Sequence, residues 1–367
     1  GSGMANLQYA SCLDNLNHTE AGRALPSIWT LFRCQSAQNI VRYLETFRLP
    51  CFNVLGGRYP VPVCNADYRV AMDELDARQI DGVLVNTRFY LHSILDVHIA
   101  KRHGIQAVVL DHGSAYLTLG SSMIDWAIAR YEDAITWYLR RQPVDFYGIS
   151  QKSTEWLAHF GVKARGIINN SIDAAAYRAQ ASSRSFRSEL GIGDELMLAF
   201  TGRFIPEKGI VVLIDMMRRL LGERVHLVMA GDGPLRGMVE DAKLEAVHLV
   251  GRLDASDIAA LLLESDVFCL PTRSEGFSTS LLEAAACGTP SLVPDVGGAR
   301  ELMPDDSYGF VTQEADARAF ALIVRRILEG VYNLADMGDR CRCRAEEYCS
   351  WDATAHKVVE AVCPNRC

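Results

Sequence analysis

The sequence predicts an α/β protein built from two consecutive doubly wound domains, and three observations carry that prediction. Short apolar runs bounded by turn residues recur along the chain, with helical patterns between them. Several of these runs are rich in Val and Leu with little alternation, as expected of parallel strands covered on both faces. A chain of 367 residues also exceeds one ordinary core, so two domains of usual size are the default.

The elements follow in order. ANLQYASCL near the start is a weak strand. NHTEAGRALPSIWTLFRCQSAQNIVRYLETF reads as a helix beginning near Pro26, and LPCFNVLG as the strand after it. Strands are then predicted at 81–87, 106–112, 145–150 and 165–171. The series resumes at 196–202, 225–231, 247–251, 267–272 and 290–295. Helical patterns such as LHSILDVHIAKRHG and GIVVLIDMMRRLLG lie between them, and strand–helix–strand at this spacing means parallel βαβ units. Residues 173–193 interrupt the series with small and polar residues, which puts the domain junction near 175. Ligand is then expected in the cleft between the strand ends of the two domains.

Composition narrows the function classes. Residues 1–165 carry 16 Lys/Arg against 15 Asp/Glu, leaving 21 against 30 in residues 166–367. An acidic second half argues against a nucleic-acid groove, and the pair Arg140–Arg141 reads as a solvated helix end. No apolar run reaches the eighteen or so residues of a membrane helix, and no signal peptide is legible. Gly1-Ser2-Gly3 reads as a cloning remnant. The 11 cysteines are scattered singly, as in reduced intracellular thiols. Those of the tail, Cys341, Cys343, Cys349, Cys363 and Cys367, lack tidy zinc-knuckle spacing, so no metal is expected.

Four stretches carry candidate chemistry. In GRFIPEKG (202–209), Arg203 and Lys208 stand at the carboxyl end of a strand near a helix start. That is an anion site fit for a diphosphate, or else two surface cations flanking Glu207. In AGDGPLRG (230–237), Gly231 and Gly233 open a dinucleotide fingerprint. Arg236 takes the third glycine's place, so a tight strand-to-helix turn accounts for them. His112 in DHGS follows a strand and either donates to a ligand or satisfies its own turn.

EGFSTSLLEAAACGTP (275–290) is the fourth. Ser280 and Glu283 match a capping box, and Gly288 would end the helix, which leaves Glu275 without a structural role. If one helix carried both glutamates, eight residues would part their backbones by about 12 Å. A glycosidase pair needs roughly 5–10 Å, so a hydrolase is disfavoured. In a loop–helix arrangement, Glu275, Glu283 and the free amides of 276–279 instead suit a ligand rich in hydroxyls and phosphate.

DHGS, GRFIPEKG, AGDGPLR, Glu275-x7-Glu283 and the VGGARELM that follows, in that order along the chain, resemble the retaining glycosyltransferases of family 4. The resemblance implies a GT-B fold, two doubly wound Rossmann-like domains facing across a cleft. The first is the acceptor side (1–175) and the second the nucleotide-sugar side (176–349), with 350–367 crossing back as a helix. It puts Glu275, Gly276, Phe277, Ser278 and Thr279 on the donor sugar and Arg203 with Lys208 on the diphosphate. Gly251, Arg252, Leu253 and Glu283 go to the nucleoside, and His112 stands with Glu275 at the reacting sugar. The co-substrate implied is a UDP- or GDP-sugar, with no other cofactor. The acceptor is a glycan, a lipid-linked group or another hydroxyl, in cell-surface polysaccharide synthesis. The place implied is the cytoplasm, at the inner face of the cell membrane, with peripheral contact.

One departure stands out. The family has a glycine-rich loop after its first strand, where this chain holds HTEAGRAL with the single glycine Gly22. The alternatives are a GT-B protein that binds a sugar nucleotide without transferring it, and a GT-B sugar-nucleotide epimerase.

Overall fold

The structure is a computed structural model that describes residues 27–31, 45–54, 59–78, 80, 82–118 and 121–363. The chain divides into two compact units. The first comprises residues 1–149, 153–168 and 355–367, the second 150–152 and 169–354. ANLQYASCL and the loop around Gly22 lie outside the described residues.

In the first unit, the helix expected from Pro26 gives way to strands. Ser27–Leu31 (β1) pairs antiparallel with Glu45–Leu49 (β2), Ser27 opposite Leu49. The β-branched and aromatic content of SIWTL and ETFRL outweighs the helical spacing of their apolar residues. A second antiparallel pair joins Cys51–Val54 (β3) to Tyr59–Pro62 (β4). A parallel sheet follows, ordered Val83–Asn86 (β5), Ala107–Asp111 (β6), Val144–Gly148 (β7) and Gly166–Ile167 (β8). All five residues of β6 are buried, which is why its first four, Ala107 to Leu110, read as an unbroken apolar run ahead of the buried Asp111. Helices Leu91–Arg102 and Ser122–Leu139 make the crossovers into β6 and β7. Val85, Ala107, Val109, Val97, Leu139 and Leu157 form the core between helices and sheet.

The second unit is wound in both directions from one strand. Leu196–Thr201 (β9), Val225–Ala230 (β10) and Val247–Gly251 (β11) run outward to one side. Val267–Cys269 (β12), Ser291–Pro294 (β13) and Phe310–Thr312 (β14) run outward to the other. The order is β11-β10-β9-β12-β13-β14, all parallel. Met197, Leu198, Ala199 and Phe200 of β9 are completely buried, so the central strand is covered on both faces. The helix Ala317–Leu328 buries Phe320, Ala321, Val324 and Ile327, one helical stripe laid on the core. Because β9 and β12 are neighbours whose chains leave in opposite directions, a crevice opens at their carboxyl ends, the usual ligand site of such sheets.

The turns at this edge are packed backbone to backbone. Gly231, at φ 141°, ends β10, and a Cβ there would lie 1.8 Å from the carbonyl oxygen of Gly202 after β9. Gly231→Ala meets both backbone strain and an immovable neighbour. It is expected to cost about 3 kcal/mol, read as a lower urea midpoint with unchanged slope.

Candidate active site

Two of the predicted stretches meet at the switch point. After β9 the chain runs through Arg203 into a single 3-10 turn, Pro206–Lys208, and then the helix Ile210–Arg219. Gly209 joins them at φ 72°, and a Cβ on it would stand 2.0 Å from the carbonyl oxygen of Pro271 beyond β12. The two loops therefore touch. Arg273 donates its amide to the Glu207 carbonyl at 2.9 Å, and Thr272 its hydroxyl to the same carbonyl at 3.1 Å.

That contact delivers Lys208 to Glu275. The two side chains, 19% and 17% exposed, form an ion pair between Nζ and Oε1. Thr272 Oγ1 also lies 3.2 Å from the same carboxylate oxygen. Arg203 is exposed at the end of the same strand and does not join this pair. The expected cation pair is thus resolved into one half-buried lysine with a carboxylate partner and one solvated arginine.

The loop after Glu275 is seated by glycines of VGGARELM. A Cβ on Gly297 would come within 2.8 Å of the Glu275 carbonyl oxygen, and one on Gly298 within 2.3 Å of the Phe277 ring. Phe277 is buried, and its carbonyl accepts from Asn170 Nδ2 at 3.1 Å. The helix Thr279–Cys287 then begins at Ser278, whose Oγ accepts from the Leu281 amide at 3.4 Å. Here the expected capping box is corrected: Ser278 is the cap, and Ser280 sits inside the first turn. An extended backbone at residue 278 lets its hydroxyl reach forward, a position that Ser280 in helical geometry cannot take. Glu283 lies five residues beyond that cap, in the body of the helix. It stands half-buried near Tyr177, whose phenol is pushed up first by burial and then by the Glu283 charge. Gly288 ends the helix in the left-handed region, as expected.

At the neighbouring strand ends, Gly231 donates its amide to the Gly251 carbonyl at 2.7 Å, and Arg252 Nε lies 3.5 Å from Asp232. The loops AGDG and GRL are therefore adjacent. A Cβ on Gly233 would stand 2.7 Å from the Phe204 carbonyl oxygen. These glycines serve close packing of one loop on another, which the missing third glycine of the fingerprint anticipated.

His112 belongs to the first unit, just past β6. It is half-buried, with Nε2 3.4 Å from Asn86 Oδ1, and desolvation lowers its pKa to about 4. The imidazole is neutral at pH 7, so it can exchange hydrogen bonds with a ligand but brings no charge. Sequence reasoning missed what lies beneath it. Arg88, 1% exposed, donates to Thr136 Oγ1 at 2.8 Å and to Glu132 Oε2 at 3.1 Å. Its Nε lies 3.4 Å from Asp111, and its guanidinium stacks 4.0 Å from the Phe160 ring. Glu132 in turn accepts the Leu117 amide at 3.0 Å, fixing the chain that follows His112. The signal was present in NTRFY: an arginine just past a strand's carboxyl end, the argument already applied to Arg203. Among the described residues no group of three or more His, Cys, Asp or Glu could hold a metal ion. Cys341 and Cys349 are buried in the second unit's core, and Cys367 lies outside the described residues.

With this geometry in place, comparison with known proteins locates the likeness. Residues 182–344, all in the second unit, match the family described as glycosyl transferases group 1. The MMP alpha-(1->4)-mannosyltransferase of Mycolicibacterium hassiacum is 31% identical over 170 residues, 44% of this chain and 41% of that protein. A GDP-mannose-dependent monoacylated alpha-(1-6)-phosphatidylinositol monomannoside mannosyltransferase of Corynebacterium glutamicum is 28% identical over 187 residues, 47% of this chain and 49% of that one. The chain spans about half the length of the curated relatives it matches. Among solved structures, Anabaena Alr3699/HepE in complex with UDP superposes with a TM-score of 0.64 at 20% identity, covering 79% of this chain and 81% of that one. Sucrose-phosphate synthase from Thermosynechococcus elongatus gives 0.62 at 21% identity, covering 80% and 76%. The fold is α/β of the GT-B class, with Rossmann-like units, and the match to the family model lies within residues 182–344.

Two outcomes test this geometry. Gly298 has an ordinary φ of −84°, so Gly298→Ala acts through space alone. By displacing Phe277 it should cost about 1–3 kcal/mol in urea unfolding. For Asp111, burial opposed by Arg88 raises the carboxyl from 3.8 to about 6. Its folded pKa therefore lies above its unfolded value. The associated stability is complete below pH 3.8 and is lost as pH rises through about 6. Asp111→Asn should therefore gain in melting temperature, relative to the parent, between pH 5 and pH 8.

Proposed function

We propose that this chain is a retaining glycosyltransferase that moves a hexose-type sugar from a UDP- or GDP-sugar to a glycan, lipid-linked or other hydroxyl acceptor. The observation that carries the proposal is the meeting of Lys208 with Glu275 at the switch point of the second sheet, inside the stretch matched to glycosyl transferases group 1. A sugar nucleotide asks for a cation on its diphosphate, a carboxylate on its hydroxyls and open amides at a helix start. All three converge here.

In this reading Lys208 and Arg203 take the diphosphate, while Glu275 and the amides of Gly276, Phe277, Ser278 and Thr279 take the sugar. Glu283 accepts from the ribose, the segment Gly251, Arg252 and Leu253 flanks the base, and neutral His112 hydrogen-bonds the transferred sugar. The bond from the anomeric carbon to the diphosphate oxygen breaks, and Lys208 and Arg203 stabilise the charge that develops there. The acceptor hydroxyl attacks from the same face, so configuration is retained, and its proton passes to a donor phosphate oxygen. The scheme calls on no metal ion. The relatives' names support a hexosyl donor, and a neighbour's complex with UDP-glucose supports a nucleotide-sugar. A cytoplasmic place with peripheral contact at the inner face of the membrane, and a role in cell-surface polysaccharide synthesis, belong to the same proposal. Among the described residues no helix is long and apolar enough to cross a membrane.

The test is thermal shift and calorimetry with UDP, GDP, ADP and their common sugar conjugates, followed by transfer assays. One nucleotide family should stabilise the protein, by roughly 2.7 kcal/mol at a hundredfold excess over its dissociation constant. Lys208→Ala should weaken its binding about tenfold or more, and Glu283→Ala by less. Glu275→Ala should lower turnover without weakening the binding of the bare nucleotide. A protein that no nucleotide shifts would refute the proposal.

A further inference from the structure

The groups assigned to the two halves of the donor are each other's partners in this structure. Lys208, which would meet the diphosphate, holds the carboxylate of Glu275, which would meet the sugar. We infer that Glu275 makes the donor site selective for an intact nucleotide-sugar over a bare nucleoside diphosphate, by competing with phosphate for Lys208. The inference rests on the donor-site reading above.

The argument is one of partner exchange. A nucleotide-sugar takes Lys208 away from Glu275 but supplies sugar hydroxyls to the carboxylate in return, so both charges stay satisfied. A bare diphosphate takes the lysine and supplies nothing. Glu275 is then left with Thr272 Oγ1, whose single proton is already shared between the Glu207 carbonyl at 3.1 Å and the Ser274 carbonyl at 3.3 Å. A carboxylate only 17% exposed cannot replace its cation with full hydration. The penalty falls on the bare diphosphate alone. After transfer, the leaving product is the species that the site holds least well, so Lys208 returns to Glu275 as the nucleoside diphosphate departs.

Glu275→Gln tests this, because it keeps the shape and the hydrogen-bonding oxygen while removing the charge that competes for Lys208. Dissociation constants would be measured by calorimetry for UDP and UDP-glucose, and for GDP and GDP-mannose, on the parent, Glu275→Gln and Lys208→Ala, each checked for an intact fold by circular dichroism. In Glu275→Gln the bare diphosphate should bind more tightly, by about tenfold at most, while the conjugate binds more weakly. The ratio of the two constants should therefore move in favour of the diphosphate by more than twofold, and by about tenfold if the two effects combine in full. A ratio within twofold of the parent's, with Lys208→Ala still weakening both ligands, would overturn the inference and leave the donor-site reading standing. If Lys208→Ala weakens neither ligand, or the parent binds neither, the donor-site reading falls and this inference with it.

Discussion

Lys208 can reach Glu275 only because the residue between Lys208 and the next helix has no side chain. With a Cβ at Gly209 the loop after β9 would have to retreat from the Pro271 carbonyl, which stands 2.0 Å from where that atom would lie. The pairing of the two loops at the switch point follows from that approach. It brings the Glu207 carbonyl under Thr272 and Arg273, sets the ammonium against the carboxylate, and aligns the turn ahead of the helix that begins at Thr279. The second seating surface, Gly297 and Gly298 under Glu275 and Phe277, acts in the same way from the opposite side. Rigid loops made by backbone contact hold a charged pair in place at little conformational cost, since few rotamer-rich side chains are ordered to do it.

The topology explains why a ligand crevice opens between the ends of β9 and β12. A parallel sheet wound in both directions has one place where neighbouring strands send their chains apart, and there no helix fills the gap above the strand ends. In the second unit that place lies between β9 and β12. The residues at those two carboxyl ends are the ones with room for a ligand between them. The ion pair fills part of that room, and its two members are the groups whose partners a sugar nucleotide would replace.

The first unit solves a different electrostatic problem. It buries one guanidinium, Arg88, beside two carboxylates, Asp111 and Glu132, beneath the loop that carries His112. Desolvation raises both carboxyls and lowers the imidazole, so the whole region favours neutral forms. Arg88 offsets part of that cost through hydrogen bonds to Glu132 and Thr136, the aromatic face of Phe160 and the nearby Asp111 carboxylate. Glu132 passes the rigidity on through the Leu117 amide. The chain on either side of His112 is thus tied to Arg88 and Glu132, each at least 20 positions away in sequence.

The sequence alone determined the α/β class, the strand series from residue 83 to residue 294, the helix end at Gly288, and the stretches that carry the candidate chemistry. These are local properties: unbroken Val/Leu runs, glycine at left-handed positions, and charged residues just past strand ends. Where local signals conflicted, the sequence misled, as in the strands Ser27–Leu31 and Glu45–Leu49, where helical spacing and β propensity disagreed. Tertiary structure alone decided that Lys208 pairs with Glu275 rather than with Arg203's side of the site, and that Ser278 rather than Ser280 caps the helix. It alone decided that Gly297 and Gly298 seat the glutamate loop, and that Arg88 lies beneath His112. Each joins groups through space: residues 208 and 275 are 67 positions apart, and 88 and 132 are 44 apart. Periodicity reports which face of an element is buried, but not which loop it will meet. That is set by the order in which the strands assemble, and by whether a missing Cβ lets two backbones close.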